Sequence, residues 1–110
     1  MEFSNDIPYN NCLSPAFVLD LNRLKKNLNL IKGVQEVASI DIIMALKAFA
    51  NWHLFPFIKD YASGATASSL NEAKLIKEYM GVKAHAYFVA YHPKEFQEVL
   101  ANSSHTTFNS

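Results

Sequence analysis

Residues 42–50 read Ile42-Ile43-Met44-Ala45-Leu46-Lys47-Ala48-Phe49-Ala50. The first five are apolar, which is typical of a short β-strand buried on both faces, and a lone lysine follows them. In a parallel barrel, Lys47 would lie at the carboxyl end of its strand, the edge where such folds carry their active sites. Two interpretations stay open here. In the first, Lys47 simply ends the strand and its side chain reaches water. In the second, an apolar surface beside Lys47 lowers the pKa of its amine, and the neutral amine can attack a carbonyl group.

Helical patterns flank this strand on both sides. Asp20 can cap a helix that Gly33 is predicted to end. The apolar residues of that helix fall on one face at Leu21, Leu24, Leu28 and Ile31. After the strand, a second helix is predicted to start near Leu54, because Pro56 fits only in a first turn, and Gly64 is predicted to close it.

Two further helices are predicted in the second half of the chain. The run Ser69-Leu70-Asn71-Glu72 has the spacing of a capping box, in which the serine and glutamate side chains satisfy backbone donors of the first turn. The helix should run to Met80 and stop at Gly81. Another helix is predicted to open at Pro93 and to close at Asn102.

Strands are predicted to start near residues 42, 65, 85 and 105, with a helix between each pair. Such alternation indicates βαβ units and a parallel sheet. We therefore predict an α/β fold, the amino-terminal part of a (β/α)8 TIM-like barrel, since a complete barrel needs eight strands and about 250 residues. On this prediction residues 1–110 are an incomplete barrel domain that begins with an irregular arm, residues 1–15. A small open α/β sheet, complete in itself, is the alternative.

Composition and charge argue against several classes of partner and indicate the compartment of the protein. Ten basic and ten acidic residues balance, so nothing favours binding to nucleic acid or to an anionic membrane. No apolar run approaches the roughly 20 residues of a membrane helix, and the first residues lack signal-peptide features, which indicates a cytoplasmic protein. Cys12 is the only cysteine and should be an ordinary thiol. We expect no metal, because the histidines lack ligand spacing; they are His53, His85, His92 and His105.

Small and polar residues occupy positions 64–69, where a second strand would meet its loop. This segment is either a tight strand-to-helix turn or a wall that lets a flat ligand approach, with Thr66 and Ser69 offering hydroxyl groups. Tyr91 and His92 end the third predicted strand, so they either face the same edge as Lys47 or belong to the core. The chain has no glycine-rich phosphate loop and no Gly-x-Ser-x-Gly motif.

The combination of motifs resembles a known family. The motifs are, in chain order, Pro15-Ala16-Phe17-Val18-Leu19-Asp20, Ala45-Leu46-Lys47-Ala48-Phe49-Ala50, Thr66-Ala67-Ser68-Ser69-Leu70-Asn71-Glu72 and Phe108-Asn109-Ser110. Together they resemble the start of the carboxynorspermidine decarboxylases, which are alanine racemase-like (fold type III) pyridoxal phosphate enzymes. The resemblance spans essentially the whole chain.

The resemblance implies roles for three residues. Lys47 would hold pyridoxal 5'-phosphate as a Schiff base and act in catalysis, while Thr66 and Ser69 would lie beside the cofactor. Most relatives in the wider class have an aspartate where this chain has Thr66. The Thr-Ala-Ser-Ser form resembles the carboxynorspermidine branch, which argues against ornithine or diaminopimelate as substrate.

The implied activity is decarboxylation of carboxynorspermidine or carboxyspermidine to norspermidine or spermidine in polyamine biosynthesis, carried out by a cytoplasmic homodimer. The family's cofactor-stacking histidine, phosphate site, acid that pairs with the pyridine nitrogen and carboxyl-terminal β-domain would all follow the point where this chain ends. The alternatives are another fold type III decarboxylase (diaminopimelate or ornithine), a pyridoxal phosphate-binding barrel without enzymatic activity, and a structural α/β module.

Overall fold

The computed structural model describes residues 11–109. The first ten residues of the predicted arm, residues 1–15, lie outside the described residues. Residues 12–15 of the arm, and residues 16–20 after it, form neither helix nor strand. From there on, helices and strands alternate as predicted. The elements are α1 (Leu21–Ala38), β1 (Ile43–Ala45), a 3-10 turn (Trp52–Leu54), α2 (Phe55–Ile58), β2 (Gly64–Ala67), α3 (Leu70–Met80), β3 (Ala84–Tyr87), α4 (Phe96–Asn102) and β4 (Ser103–Thr107).

The four strands form one parallel sheet in the order β1-β2-β3-β4, so each strand pairs with the next one along the chain. Ala45 pairs with Thr66, and Thr66 pairs with His85. Between β3 and β4 the register shifts by one residue, and His85 then pairs with His105. The predicted parallel α/β architecture is thereby confirmed for the described residues.

Two glycines do not act as predicted. Helix α1 continues through Gly33 to Ala38 and ends at Ser39, which adopts a left-handed conformation with φ 54°. Glycine inside a helix costs only about 1 kcal/mol relative to alanine, and the rest of α1 outweighs that cost. Gly64 does not close α2, which already ends at Ile58; it is instead the first residue of β2, opposite Ile43.

The two predicted helix caps are confirmed, whereas the predicted start of the last helix is wrong. Asp20 accepts a hydrogen bond from the backbone N–H of Arg23 at 3.0 Å and so caps α1. Ser69 caps α3 by accepting from the N–H of Glu72 at 3.2 Å, and the Glu72 carboxylate accepts from the N–H of Ser68 at 2.6 Å. Helix α4 starts at Phe96 rather than at Pro93, because residues 93–95 form a turn before it.

The core lies between the sheet and its helices. Four alanines of the central strands are fully buried on this side, namely Ala65, Ala67, Ala84 and Ala86. Their small side chains let the helices lie close to the sheet, and larger residues fill the remaining space: Phe55, Ile58, Ile76 and Val99. Because strand side chains alternate, the opposite face carries Ala45, Thr66, His85, Tyr87 and His105, which we call the open face.

A single glutamine joins α1 to the sheet. The Gln35 side-chain amide donates to the carbonyl oxygen of Tyr61 at 2.7 Å, and its oxygen accepts from the N–H of Ile42 at 2.7 Å. The same oxygen accepts from the hydroxyl of Ser63 at 3.1 Å. Gln35 therefore fixes the end of α1 against the starts of β1 and β2, and nothing in the sequence pattern indicates this role.

The described residues leave both sides of the sheet unpaired. β1 pairs only with β2, and β4 pairs only with β3. Large apolar side chains are also exposed, among them Val37 and Val89 at 90% each. The radius of gyration is 16.2 Å, whereas a compact domain of this length should have about 13 Å. No helix among the described residues is long and apolar enough to cross a membrane.

Candidate active site

Lys47 lies at the carboxyl edge of the sheet, as predicted, but in a turn rather than in a strand. β1 ends at Ala45, and the N–H of Ala48 donates to the carbonyl oxygen of Ala45 at 3.3 Å. Leu46 turns into the core and is only 2% exposed, while Lys47 points away from the core and is exposed. The apolar surface expected around the lysine does not enclose it within the described residues.

The amine of Lys47 lies over an aromatic ring. Its Nζ is 5.7 Å from the ring centroid of Tyr87, which is the last residue of β3. Since β2 separates β1 from β3 and neighbouring strands are about 4.8 Å apart, the Lys47 side chain must extend across the carboxyl end of β2. The amine is therefore carried towards the small-residue segment that follows Thr66.

The two predicted hydroxyl residues differ in their environment. Thr66 lies on the open face between Ala45 and His85, is half-buried, and its hydroxyl has no hydrogen-bond partner among the described residues. The Ser69 hydroxyl is engaged as the cap of α3, in agreement with the turn interpretation. Thr66 thus offers a free donor and acceptor to a ligand, whereas Ser69 can offer only its remaining hydroxyl hydrogen.

A histidine pair that sequence analysis did not connect lies on the open face. The rings of His85 and His105 stack at 4.1 Å between centroids, and the Ser104 hydroxyl is 3.0 Å from Nδ1 of His105. Burial lowers the pKa of His85 below 6.5, repulsion from His105 lowers it further, and Asp41 partly opposes both. The described residues hold no cluster of three or more metal-ligating side chains.

Tyr91 belongs to the core rather than to the edge beside Lys47. Its hydroxyl lies 2.7 Å from the carbonyl oxygen of Thr107, to which it donates, and its ring packs among Phe88, Phe96 and Phe108. His92 is exposed, and its Nδ1 accepts from the N–H of Lys94 at 3.3 Å. Of the edge residues considered in the sequence, Lys47, Thr66 and Ser69 therefore remain as candidates, with Ser69 also serving as the cap of α3.

Comparison with known proteins relates this arrangement to an enzyme family. No protein-family model matches the chain. The chain is 40% identical over 97 residues to a carboxyaminopropylagmatine decarboxylase of Synechocystis. The aligned region covers 88% of this chain and 25% of that protein. It is 38% identical, also over 97 residues, to a carboxynorspermidine/carboxyspermidine decarboxylase of Herminiimonas arsenicoxydans, with coverage of 88% and 27%. The crystal structure of carboxynorspermidine decarboxylase from Campylobacter jejuni, complexed with norspermidine, superposes with a TM-score of 0.78 at 37% identity, covering 81% of this chain and 24% of that one.

The chain is a homologue of the amino-terminal part of the carboxynorspermidine decarboxylases. It spans about a quarter of the length of these relatives. The family resemblance drawn from the motifs is thereby confirmed, and so is the predicted fold class, since the match to the Campylobacter decarboxylase extends over four-fifths of the chain.

Pyridoxal phosphate is the cofactor that the carboxynorspermidine decarboxylase resemblance implies, and the carboxyl edge of the sheet carries an amine and a hydroxyl that could hold it. The cofactor needs a primary amine for its aldehyde, small residues where its flat ring approaches, and polar groups at the ring edge. Lys47 supplies an exposed amine that extends across the end of β2. The open-face residues beside it are small, Ala45 of β1 and Thr66 of β2, and Thr66 carries an unpartnered hydroxyl.

Replacing Thr66 by leucine should weaken cofactor retention in a full-length decarboxylase that carries this segment. The larger apolar side chain would fill the open face beside β2 and remove the free hydroxyl. The measurement is the cofactor content after gel filtration, with Thr66→Ser as the control that keeps the hydroxyl. Full cofactor content in the leucine variant would remove Thr66 from the site.

The Ser69→Ala substitution should lower stability by about 1 kcal/mol, because α3 loses its cap. Urea unfolding of the same full-length protein measures this loss. Ser69→Thr should keep most of the stability, since threonine also caps helices. Equal unfolding midpoints for the alanine variant and the parent protein would contradict the capping role.

Stability should fall as the pH drops through about 6.5, because the pKa of His85 is lower in the folded chain than in the unfolded one. As the pH falls, the unfolded chain binds a proton at His85 before the folded chain does, so the free energy of unfolding decreases. This decrease is complete only below the pKa of His85 in the folded chain. NMR titration of the His85 ring should give a midpoint below 6.5, and His105→Asn should raise it by removing the repulsion. A midpoint that the His105 substitution leaves unchanged would contradict the coupling of the two rings.

Proposed function

We propose that this chain is the amino-terminal portion of a pyridoxal phosphate-dependent decarboxylase acting on carboxynorspermidine or carboxyspermidine. The observation that carries the proposal is the lysine at the carboxyl edge of a parallel sheet, in a chain 38% identical to a decarboxylase of these substrates. The protein would be a carboxy-lyase of polyamine biosynthesis. In this proposal the remaining strands of the barrel and a carboxyl-terminal β-domain belong to the longer protein.

Lys47 would hold the cofactor covalently through Nζ, and the Thr66 hydroxyl would contact its ring substituents. When bound, pyridoxal phosphate supplies a ring that accepts the electron pair left behind by carbon dioxide. Ala45 and Thr66, the open-face residues of β1 and β2 next to Lys47, have small side chains and would leave room for that ring. Because Lys47 is exposed in the described residues, exclusion of water would have to come from the other parts of the longer protein.

The substrate class follows from the relatives. Their names specify carboxynorspermidine, carboxyspermidine and carboxyaminopropylagmatine, each a carboxylated amine with a long cationic chain. The Campylobacter structure is a complex with norspermidine. Carboxyaminopropylagmatine is a second candidate substrate, favoured by the 40% identity to the Synechocystis enzyme. We further propose a cytoplasmic homodimer, as the family resemblance implies.

Carbon dioxide release from each candidate substrate tests the proposal. The full-length protein loaded with pyridoxal phosphate should act on carboxynorspermidine, carboxyspermidine or carboxyaminopropylagmatine, with far lower kcat/KM for ornithine and diaminopimelate. Preferred release from ornithine or diaminopimelate would assign the protein to another branch of the class. Cofactor binding without release from any of the five substrates would favour a carrier of pyridoxal phosphate.

A further inference from the structure

We propose that Tyr87 is a positioning residue for Lys47, an inference that rests on the proposed role of that lysine. The aromatic ring would hold the amine over the carboxyl end of β2, where the cofactor aldehyde must meet it. Neither the motifs that carry the family resemblance nor the relatives' names assign a function to this tyrosine.

The first support is that the Tyr87 ring faces Nζ of Lys47 directly. The distance from Nζ to the ring centroid is 5.7 Å, within the range at which an ammonium group is attracted to an aromatic face. The ion pairs among residues 11–109 join Arg23 to Asp20 and Lys74 to Glu98, so no described carboxylate competes for this amine. The ring is thus what the described residues offer to orient it.

The second support is that the ring is fixed while the lysine is not. Tyr87 is the last residue of β3, and its backbone is held by pairing with Thr107 of β4. Lys47 lies in a turn and ends in a long flexible chain that can adopt many rotamers. A ring two strands away selects the rotamers that cross β2, and these carry the amine towards the segment after Thr66.

The third support is the placement of Tyr87 itself. It lies on the open face, in the strand position two residues beyond His85, and its side chain is 51% exposed. The ring therefore lies outside the core between this sheet and its helices. On this face of the described residues it lies opposite the Lys47 amine, which has no carboxylate partner there.

The size of the effect follows from the contact. A cation–π contact at an exposed site contributes about 0.5–1 kcal/mol, which corresponds to a factor of about two to five in an equilibrium or a rate. Attachment itself needs the neutral amine: Nζ first loses a proton to water and then bonds to the aldehyde carbon, and the aldehyde oxygen leaves as water. The neutral amine keeps a weaker N–H contact with the ring face, so we expect removal of the aromatic ring to slow attachment of pyridoxal phosphate to the cofactor-free, full-length protein about twofold, the lower end of that range. Attachment is measured as the amount of borohydride-reduced adduct on Lys47 against time.

The test compares four substitutions. Tyr87→Met removes the ring with little loss of side-chain volume and should slow attachment. Tyr87→Phe and Tyr87→Trp keep an aromatic face and should restore it, with tryptophan at least as effective as phenylalanine. Tyr79→Met is the matched control, since Tyr79 is a tyrosine of α3 that is 37% exposed. The control should attach the cofactor at the parent rate.

Two results would overturn the inference. The first is attachment at the parent rate in Tyr87→Met. The second is equal slowing in Tyr87→Phe and Tyr87→Met, because it would mean that the hydroxyl group and not the ring matters. Failure of the proposed function is distinguishable from both results. In that case the parent protein itself would carry its adduct on another lysine or form none. Restoration by phenylalanine and tryptophan also excludes a folding defect as the cause of slowing in the methionine variant.

Discussion

Lys47→Ala and Lys47→Arg should lower decarboxylation by the full-length protein about a thousandfold or more. Alanine leaves no amine to bind the cofactor aldehyde. Arginine keeps the positive charge and the length, but its guanidinium group stays protonated and forms no stable bond to an aldehyde. Lys47 is singled out because it alone among the lysines follows an apolar strand, although that strand is only partly buried in the described residues.

Reduction with borohydride, digestion and mass spectrometry should locate a pyridoxyl adduct on Lys47 in the parent protein. Lys83→Ala is a matched control, because Lys83 is also exposed but immediately precedes β3, at the opposite edge of the sheet. This variant should retain its adduct and its activity. An adduct on any other lysine, or near-normal activity in either Lys47 variant, would refute the catalytic assignment.

The 110-residue chain alone should show no turnover and should self-associate. Both outer strands present unpaired backbone groups, and apolar side chains such as Val89 and Phe108 are exposed beside them. In an intact barrel the first and last strands would pair with their neighbours and the open face would be covered. In the isolated chain, association with another copy is the alternative way for the unpaired backbone groups to form hydrogen bonds and for the apolar side chains to be buried.

Light scattering and calorimetry of the isolated chain decide this point. We expect a mass above that of one chain, rising with concentration. Replacing Val89 by lysine should reduce association, because a charge at this exposed position opposes contact between copies. Val82→Lys is the control, since Val82 lies beyond the other end of β3. A compact, stable monomer would instead favour the alternative of a self-contained open sheet.

The element order was predictable because its signals are local. Alternating apolar runs, the capping serine at position 69 and the left-handed Gly81 each act within a few residues of sequence. The observed strands start at residues 43, 64, 84 and 103, close to the predicted starts. The position of Lys47 at the sheet edge followed from the same reasoning, since parallel strands bring all carboxyl ends together.

Features that depend on distant partners were not predictable. Gly33 has the same local signal as Gly81, but α1 continues past it to the point where Gln35 reaches Ile42 and Tyr61. The contact of Tyr87 with Lys47 spans two strands and depends on register. The stacking of His85 on His105 depends on the one-residue shift between β3 and β4, which no spacing in the sequence reveals.

The consecutive strand order has a consequence for synthesis on the ribosome. Every strand pairs with the one synthesised just before it, so each new βα unit finds its partner already present. No strand has to be inserted later between two strands that are already made. Among the four described strands, chain growth therefore extends the sheet on the β4 side. If the longer protein closes a barrel, the exposed side of β1 would be the last to find its neighbour, and its unpaired backbone groups would stay exposed longest during synthesis.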